Sequence, residues 1–255
     1  MSTQESDPGQ QQIRSATFFE SFDGWAQLLR HSDGGHQSFR RDATPPPPGP
    51  QEAQLFRPRL RRPMALLHIV DDGREEGETV RIRGDELVIG RSEGHVVISH
   101  DISMSTRHAR IGRLQDGGWE LDDLGSAGGT FVRVMKAKLK NGSVFQIGAT
   151  AFRFETVDLT EASLVELLPP GDGRRRECHA PLTTVGRVDC GADLTVDDPF
   201  VSPLHAEIRR TPKGWKIENR GLNGLWVRIE APVRLAVPSQ FQCGEQRFVF
   251  VPAAD

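Results

Sequence analysis

The sequence has no apolar run that approaches the ~20 residues needed to cross a bilayer as a helix. Its first seven residues, MSTQESD, also lack the basic and then apolar pattern of a secretory signal peptide. Both absences argue against a membrane partner and against secretion. We therefore expect a soluble, cytoplasmic protein.

Cysteine is scarce. The chain has only Cys178, Cys190 and Cys243, an odd number that forms neither a Cys-x-x-Cys pair nor a set with histidines at metal-ligand spacing. We expect no metal site, and a reducing compartment fits this usage best.

Motifs of catalysis are missing as well. No nucleophile, base and orienting residue share a recognisable pattern, and the phosphate loop Gly-x-x-x-x-Gly-Lys does not occur. The paired acids Asp71-Asp72 and Asp122-Asp123 are typical of turns. We therefore expect a non-enzymatic protein with no catalytic residue and no cofactor.

Charge of one sign does not dominate, because the formal net charge is −3. Such a chain has no global attraction to nucleic acid or to an anionic membrane surface. The arginines between positions 57 and 62 are typical of a solvated linker rather than a nucleic-acid site.

The first 63 residues differ from the rest, since they contain a glutamine run and four consecutive prolines at 45–48. This composition predicts a largely disordered tail. Within it, apolar residues at helical spacing predict a short amphipathic helix near residues 18–30. The helix could pack on the chain's own domains or bind a partner. The residues of its apolar face are Phe18, Phe22, Trp25 and Leu29.

Beyond the tail, one pattern occurs twice. Gly90-Arg91 returns as Gly186-Arg187, and Trp119 returns as Trp215, an offset of 215 − 119 = 96 residues. A fixed offset of domain length indicates a tandem duplication rather than a solenoid. We expect two homologous domains, at residues 64–158 and 162–252.

Each repeat has short apolar segments separated by Gly, Asp and Asn turns, which favours an all-β sandwich over a helical fold. In the first repeat we expect strands at the following positions: 64–70, 79–82, 86–89, 96–98, 108–113, 119–122, 130–134, 143–147 and 151–155.

The ordered set of motifs resembles the forkhead-associated (FHA) domain family. Each repeat has the Gly-Arg pair, then Ser-x-x-His at residues 105–108 or 202–205, then Gly148 or Gly244 before a strand. The resemblance covers most of residues 64–252. It implies two tandem antiparallel β-sandwiches of the FHA/SMAD-like type, whose loops at one end bind phosphothreonine-containing proteins in serine/threonine-kinase signalling.

A phosphothreonine carries about −1.5 to −2 charges and three acceptor oxygens, so its site needs a guanidinium and neutral donors at fixed positions. The resemblance implies that these donors come from loop residues of both repeats, with His108 and His205 bracing the loops. The expected phosphopeptide-binding residues are Arg91, Ser105, Arg107, Arg187, Ser202 and Asn223.

Both repeats depart from the family pattern. Gly128 stands where the family usually has an asparagine that holds the partner backbone, and the loss of an amide costs about 1 kcal/mol or more. In the second repeat Pro203-Leu204 replace the usual polar or basic residues, and Pro203 removes an N–H donor.

These departures leave two functions open. The first is a phosphothreonine-dependent adaptor, and the second is a phosphate-independent structural scaffold with degenerate FHA domains. A further hypothesis concerns the tail, in which Thr17 and Thr44 are candidate phosphosites. The phosphorylated tail could bind one of the chain's own sites.

Overall fold

The computed structural model describes residues 64–70, 77–157, 160–168, 170–179 and 181–253, and every regular element in these ranges is a β-strand. The tail with its predicted helix lies outside the described residues. The strands are β1 (Ala65–Val70), β2 (Glu78–Ile82), β3 (Glu86–Gly90), β4 (Val96–Val97), β5 (Ala109–Arg113), β6 (Trp119–Asp123), β7 (Thr130–Val134), β8 (Lys136–Leu139), β9 (Val144–Ile147), β10 (Thr150–Thr156), β11 (Ala162–Leu168), β12 (Gly171–Glu177), β13 (Leu182–Arg187), β14 (Leu194–Val196), β15 (Ala206–Thr211), β16 (Gly214–Asn219), β17 (Leu225–Arg228), β18 (Val233–Arg234), β19 (Ser239–Cys243) and β20 (Gln246–Pro252).

The strands form three sheets. One has ten strands in the order β12-β11-β10-β9-β17-β7-β19-β20-β1-β2, and two have five strands, β14-β13-β15-β16-β8 and β18-β6-β5-β3-β4. The pairs are antiparallel, apart from β3 with β4 and β13 with β14. The all-β sandwich architecture expected from the sequence is confirmed.

Alternating side chains build the cores. In β1, Ala65, Leu67 and Ile69 are buried, and in β5 Ala109 and Ile111 are fully buried. Successive side chains of a strand point to opposite faces, so one face of each sheet packs inward.

Two separate cores lie between the ten-stranded sheet and the two smaller sheets. In the first, Trp119 meets Phe250 edge to face with ring centroids 5.7 Å apart. In the second, Trp215 meets Phe154 at 5.8 Å. The two tryptophans occupy repeat-equivalent positions, but each phenylalanine comes from the other repeat.

The C-terminal strands of the repeats are exchanged. β8 of the first repeat pairs with β16 of the second, and β18 of the second repeat pairs with β6 of the first. The second core is therefore built from one continuous segment, residues 134–228. The first core combines residues 65–132 with residues 229–250.

The connection between β7 and β8 gives a physical reason for the exchange. Met135 alone separates Val134 from Lys136. The commonest tight hairpins need a two-residue loop with Gly, Asn or Asp, so β7 and β8 cannot pair with each other. The chain instead continues straight on, and β8 completes the neighbouring sandwich.

The two sandwiches are joined edge to edge through β7 and β17. These strands pair antiparallel, with Val132 opposite Val227 at the centre of the ladder. Residue pairs on either side of this centre are repeat-equivalent, since Phe131 faces Arg228 and Arg133 faces Trp226. The joint therefore has an approximate two-fold symmetry.

This arrangement differs from the expected division at residues 158–162. β10 and β11 pair over Ala151–Thr156 and Ala162–Leu167, so this point lies inside one sandwich. The repeats remain real as sequence units, but each core takes strands from both sides of that division. In the part of the chain that is described, no helix is long and apolar enough to span a membrane.

Candidate functional site

The Gly-Arg pair ends a strand against a neighbouring loop. A Cβ atom on Gly90 would overlap the carbonyl oxygen of Thr106, and one on Gly186 would overlap that of Pro203. Glycine is needed at both positions because only a residue without Cβ allows this close approach.

The close approach brings the predicted arginine and serine of each repeat together. The Arg91 N–H donates to the Ser105 carbonyl oxygen at 2.9 Å, and the Arg187 N–H donates to that of Ser202 at 3.0 Å. Among the described residues, neither guanidinium has an ion pair or a hydrogen bond. Both side chains are thus available to an external anion.

Each serine hydroxyl accepts a hydrogen bond from a third loop, residues 124–129 in the first repeat and 220–224 in the second. Ser105 Oγ accepts the Ala127 N–H at 3.0 Å, and Ser202 Oγ accepts the Leu222 N–H at 3.1 Å. A hydroxyl has one proton to donate as well as two lone pairs. The hydroxyl proton can therefore be donated to a ligand while the oxygen keeps its bond to the loop.

The two predicted bracing histidines lie directly behind these serines. His108 Nδ1 accepts the Ser105 N–H at 3.1 Å, and its Nε2 donates to the Gly129 carbonyl at 3.2 Å. His205 makes the same pair of bonds, to Ser202 at 3.0 Å and to Gly224 at 3.0 Å. Burial lowers the pKa of both imidazoles, although these carbonyls and nearby aspartates raise it in part. The neutral ring fits its contacts, because Nδ1 must be unprotonated to accept the hydrogen bond from the serine N–H.

Asn223 and Gly128 occupy matching places in the third loop. Asn223 Nδ2 donates to the Phe200 carbonyl at 2.7 Å. A Cβ atom on Gly128 would lie 3.8 Å from the carbonyl oxygen of Ser103, the residue equivalent to Phe200. The first site thus lacks an amide in a place where there is room for one.

The rims of the two sites differ in polarity. Arg107 is exposed in the first site, whereas Leu204 replaces it in the second. Three apolar side chains surround the second site, with exposed fractions of 59% for Phe200, 40% for Leu204 and 53% for Leu222. The first rim suits acidic or polar groups, and the second suits apolar ones.

Two buried aspartates were not among the predicted site residues. Asp101 accepts the N–H groups of Ser103 at 2.9 Å and Glu245 at 2.8 Å. Each oxygen thus holds a different segment. One holds the loop that carries the Ser-x-x-His motif, here called the recognition loop, and the other holds the turn of the β19–β20 hairpin, which is exchanged from the other repeat. The sequence signal was their repeat spacing, 198 − 101 = 97 residues, shared with Ser105 and Ser202.

Asp198 has the same position in the second site. It accepts the Phe200 N–H at 2.8 Å, the Ala149 N–H at 2.7 Å and the Thr150 hydroxyl at 2.9 Å. Recognition loop and exchanged hairpin are again tied by one carboxylate.

Asp123 shapes the third loop of the first site. Its carboxylate accepts hydrogen bonds from Gly125, from the Ser126 backbone and hydroxyl, and from the Thr130 hydroxyl. Burial raises the pKa of Asp123, but the bonds from Ser126 and Thr130 outweigh it and hold the pKa below its ordinary value. The loop is therefore built around an ionised carboxylate.

Within the described ranges, no group of three or more His, Cys, Asp or Glu residues is placed to hold a metal ion. What the loops present is a guanidinium, a hydroxyl and backbone N–H groups at the end of a rigid sandwich. These features define a ligand-binding module of β-sandwich type.

Two segments of the chain, residues 87–148 and 183–244, match the family model described as FHA domain. Both contain the Gly-Arg pair and the Ser-x-x-His motif. The chain thus carries two segments of FHA-domain type. FHA-domain proteins are generally binding modules rather than enzymes.

Two curated relatives agree with this assignment. The chain is similar to the FHA domain-containing protein FhaB of Mycobacterium tuberculosis, with 31% identity over 101 residues, which cover 38% of this chain and 64% of the relative. FhaB of Mycolicibacterium smegmatis is 31% identical over 96 residues, which cover 36% of this chain and 61% of the relative. The chain thus spans less than two thirds of these relatives.

Among solved structures, the chain is similar to the FHA domain of CT664 from Chlamydia trachomatis. The two share 14% identity with a TM-score of 0.35, covering 74% of this chain and 98% of that domain.

Proposed function

We propose that this protein is a phosphothreonine-dependent, non-enzymatic adaptor in serine/threonine-kinase signalling. The observation that carries the proposal is the meeting of Arg91 with Ser105 and of Arg187 with Ser202, through backbone bonds of 2.9 and 3.0 Å. An arginine whose guanidinium has no partner among the described residues, and whose backbone is bonded to that of a serine, is suited to a dianionic phosphate.

The relative placement of the sites favours a bridging role. The third loop of each site leads directly into β7 or β17, and these strands are antiparallel. The two sites therefore lie at opposite ends of a ladder of four residue pairs, ~13 Å long. This geometry suits two phosphorylated partners, or two distant phosphothreonines of one partner, better than adjacent ones.

The test is a calorimetric titration of the protein with a phosphothreonine peptide and with its unphosphorylated twin. We expect a stoichiometry of two and a clear preference for the phosphorylated peptide. Arg91→Ala and Arg187→Ala should each lower the affinity of the mutated site about 10- to 100-fold, as for the loss of a charged hydrogen bond, and leave the other site unchanged.

Arg83→Ala is a suitable control because Arg83 is exposed and precedes β3, at the end of that strand away from Gly90. Its affinity should match that of the unmodified protein. Equal affinity of the protein for phosphorylated and unphosphorylated peptides would refute the proposal.

The second candidate function is a phosphate-independent scaffold. The apolar rim of Phe200, Leu204 and Leu222 favours it for the second site. If the Arg91→Ala/Arg187→Ala double variant still bound its partners, the scaffold would be the better description.

The remaining expectations stay predictions. These are a cytoplasmic location, a serine/threonine kinase as upstream partner and the binding of a phosphorylated tail to one of the sites. Thr17 and Thr44 lie outside the described residues, so the tail hypothesis is best tested by peptide affinity before and after tail phosphorylation.

A further inference from the structure

The joint between the sandwiches brings each repeat into contact with the other repeat's site. In an antiparallel pair the end of one strand lies beside the start of its partner. Arg228 ends β17 opposite Phe131 near the start of β7, and Arg133 lies near the end of β7 opposite Trp226. Each arginine is thus next to the loop that precedes the partner strand.

Glycines let these arginines cross the loops. A Cβ atom on Gly129 would overlap Arg228 Cδ and lie 2.9 Å from its Cγ. A Cβ atom on Gly224 would overlap Arg133 Nε and lie 3.0 Å from its Cζ. Both glycines have left-handed backbone conformations, with φ of 81° and 82°. Each arginine side chain therefore runs directly across a recognition loop of the other repeat.

The two arginines differ in what their guanidinium groups bind. Arg133 donates to the Gln240 side-chain oxygen at 3.0 Å and to the Leu222 carbonyl at 2.9 Å. At the equivalent of Gln240, position 240 − 96 = 144, the first repeat has Val144, which offers no side-chain acceptor. Across the described ranges, Arg228 has neither a hydrogen bond nor an ion pair.

The unpaired guanidinium lies at the site that lacks the amide. Gly129, under Arg228, follows directly on Gly128, where the second site has Asn223. A guanidinium has five N–H donors, so that of Arg228 can still bind an external acceptor. The first site thus has an unused N–H donor, the Arg228 guanidinium of the second repeat, beside the position where it lacks the asparagine amide.

We propose that Arg228 is a ligand-binding residue of the first recognition site and selects phosphothreonine peptides with acidic residues beside the phosphothreonine. A guanidinium only donates, so it can replace the donor function of an asparagine but not its acceptor function. Arg133 places an equal charge at the second site, but its N–H donors are bonded to Gln240 and Leu222, whereas those of Arg228 are not. Arg107 on the rim adds a charge that Leu204 does not give the second site. The inference rests on the proposed phosphothreonine binding of the same site.

The experiment uses the full chain with Arg187→Ala, so that phosphothreonine binding is measured at the first site. The probes are two fluorescent phosphothreonine peptides, one flanked by aspartates and one by asparagines. The key comparison is Arg228→Lys with Arg228→Gln, because both side chains keep an aliphatic stem and N–H donors, whereas only lysine keeps the positive charge.

We expect Arg228→Gln to lower the affinity for the aspartate-flanked peptide about tenfold, as for the loss of a charged hydrogen bond. Arg228→Lys should retain most of that affinity, and the asparagine-flanked peptide should be affected much less. Arg174→Ala, at an exposed position on the outer strand β12, should change neither affinity.

Equal affinities of the Lys and Gln variants for the aspartate-flanked peptide would overturn the inference and leave the proposed function intact. Loss of all binding in the Arg187→Ala background, with binding kept in Arg91→Ala, would also overturn it, since the first site would then not bind. Absence of phosphothreonine binding by either single variant and by the unmodified protein would refute the proposed function itself.

Discussion

At the scale of single residues, each recognition loop depends on a buried histidine in its neutral form. Protonation of Nδ1 in His108 would remove the acceptor of the Ser105 N–H and leave a charge in a fully buried position. His205 has the same relation to Ser202. Both rings therefore link loop geometry to pH.

A pH dependence of stability follows from this. Burial lowers the pKa of His108 and His205 in the folded protein, while the unfolded value is about 6.5. A depressed pKa means that the unfolded chain binds more protons. The contribution of these residues is therefore complete above about pH 6.5 and is lost as the pH falls through the folded-state values.

We expect the urea concentration at the unfolding midpoint to decrease as the pH is lowered from 8 to 5.5. His68 acts in the same direction, because burial also lowers its pKa. Imidazole proton shifts, followed by NMR, assign the effect to His108 and His205. His100→Gln, at an exposed position, should leave the dependence unchanged. Titration of both buried rings at their ordinary pKa would contradict this account.

The residues that the sequence predicted and those that it missed differ in a physical way. Arg91, Ser105 and His108 lie within 18 positions of each other, so an ordered motif captures them. The contacts of Asp101 with Glu245 and of Arg228 with Gly129 join positions 144 and 99 residues apart. Such contacts depend on which strands pair, and a motif carries no information on that.

At the scale of elements, the exchanged hairpins hold the recognition loops. The turn between β9 and β10 donates the Ala149 N–H and the Thr150 hydroxyl to Asp198, whose other oxygen accepts the Phe200 N–H. Asp198 is 5% exposed, and the three hydrogen bonds that it accepts are partly buried.

Asp198→Ala should therefore lower the free energy of unfolding by about 2–3 kcal/mol, because it removes three partly buried hydrogen bonds to a charged group. Urea denaturation measures the change. Its neighbour Asp197 is exposed, and Asp197→Ala should stay within about 0.5 kcal/mol of the unmodified protein. Equal stability of the two variants would show that the hairpin does not depend on this carboxylate.

The strands themselves were largely predictable, because alternation and turn residues are local signals. β5, expected at 108–113, is Ala109–Arg113, and β7, expected at 130–134, is Thr130–Val134. The strand β8 was not expected, and neither was its pairing with β16 of the other repeat. Strand partners are chosen by turns and by the complementarity of buried faces, which a single strand's pattern does not reveal.

At the scale of the whole molecule, the two FHA sequence units and the two cores are different divisions of the chain. The second core uses only residues 134–228, while the first uses segments on both sides of that stretch. Formally, one sandwich is inserted into the other. The two candidate sites are thereby linked through one ten-stranded sheet rather than by a flexible linker.

The most direct measurement compares two fragments by cooperative unfolding and by titration with a phosphothreonine peptide. Residues 134–228 contain the complete second core with Arg187, Ser202 and Asn223, so we expect this fragment to fold and to bind the phosphorylated peptide only. Residues 162–252 follow the sequence repeat but lack β8, β9 and β10, and should not fold. A folded, phosphothreonine-binding 162–252 fragment beside an unfolded 134–228 fragment would contradict the account.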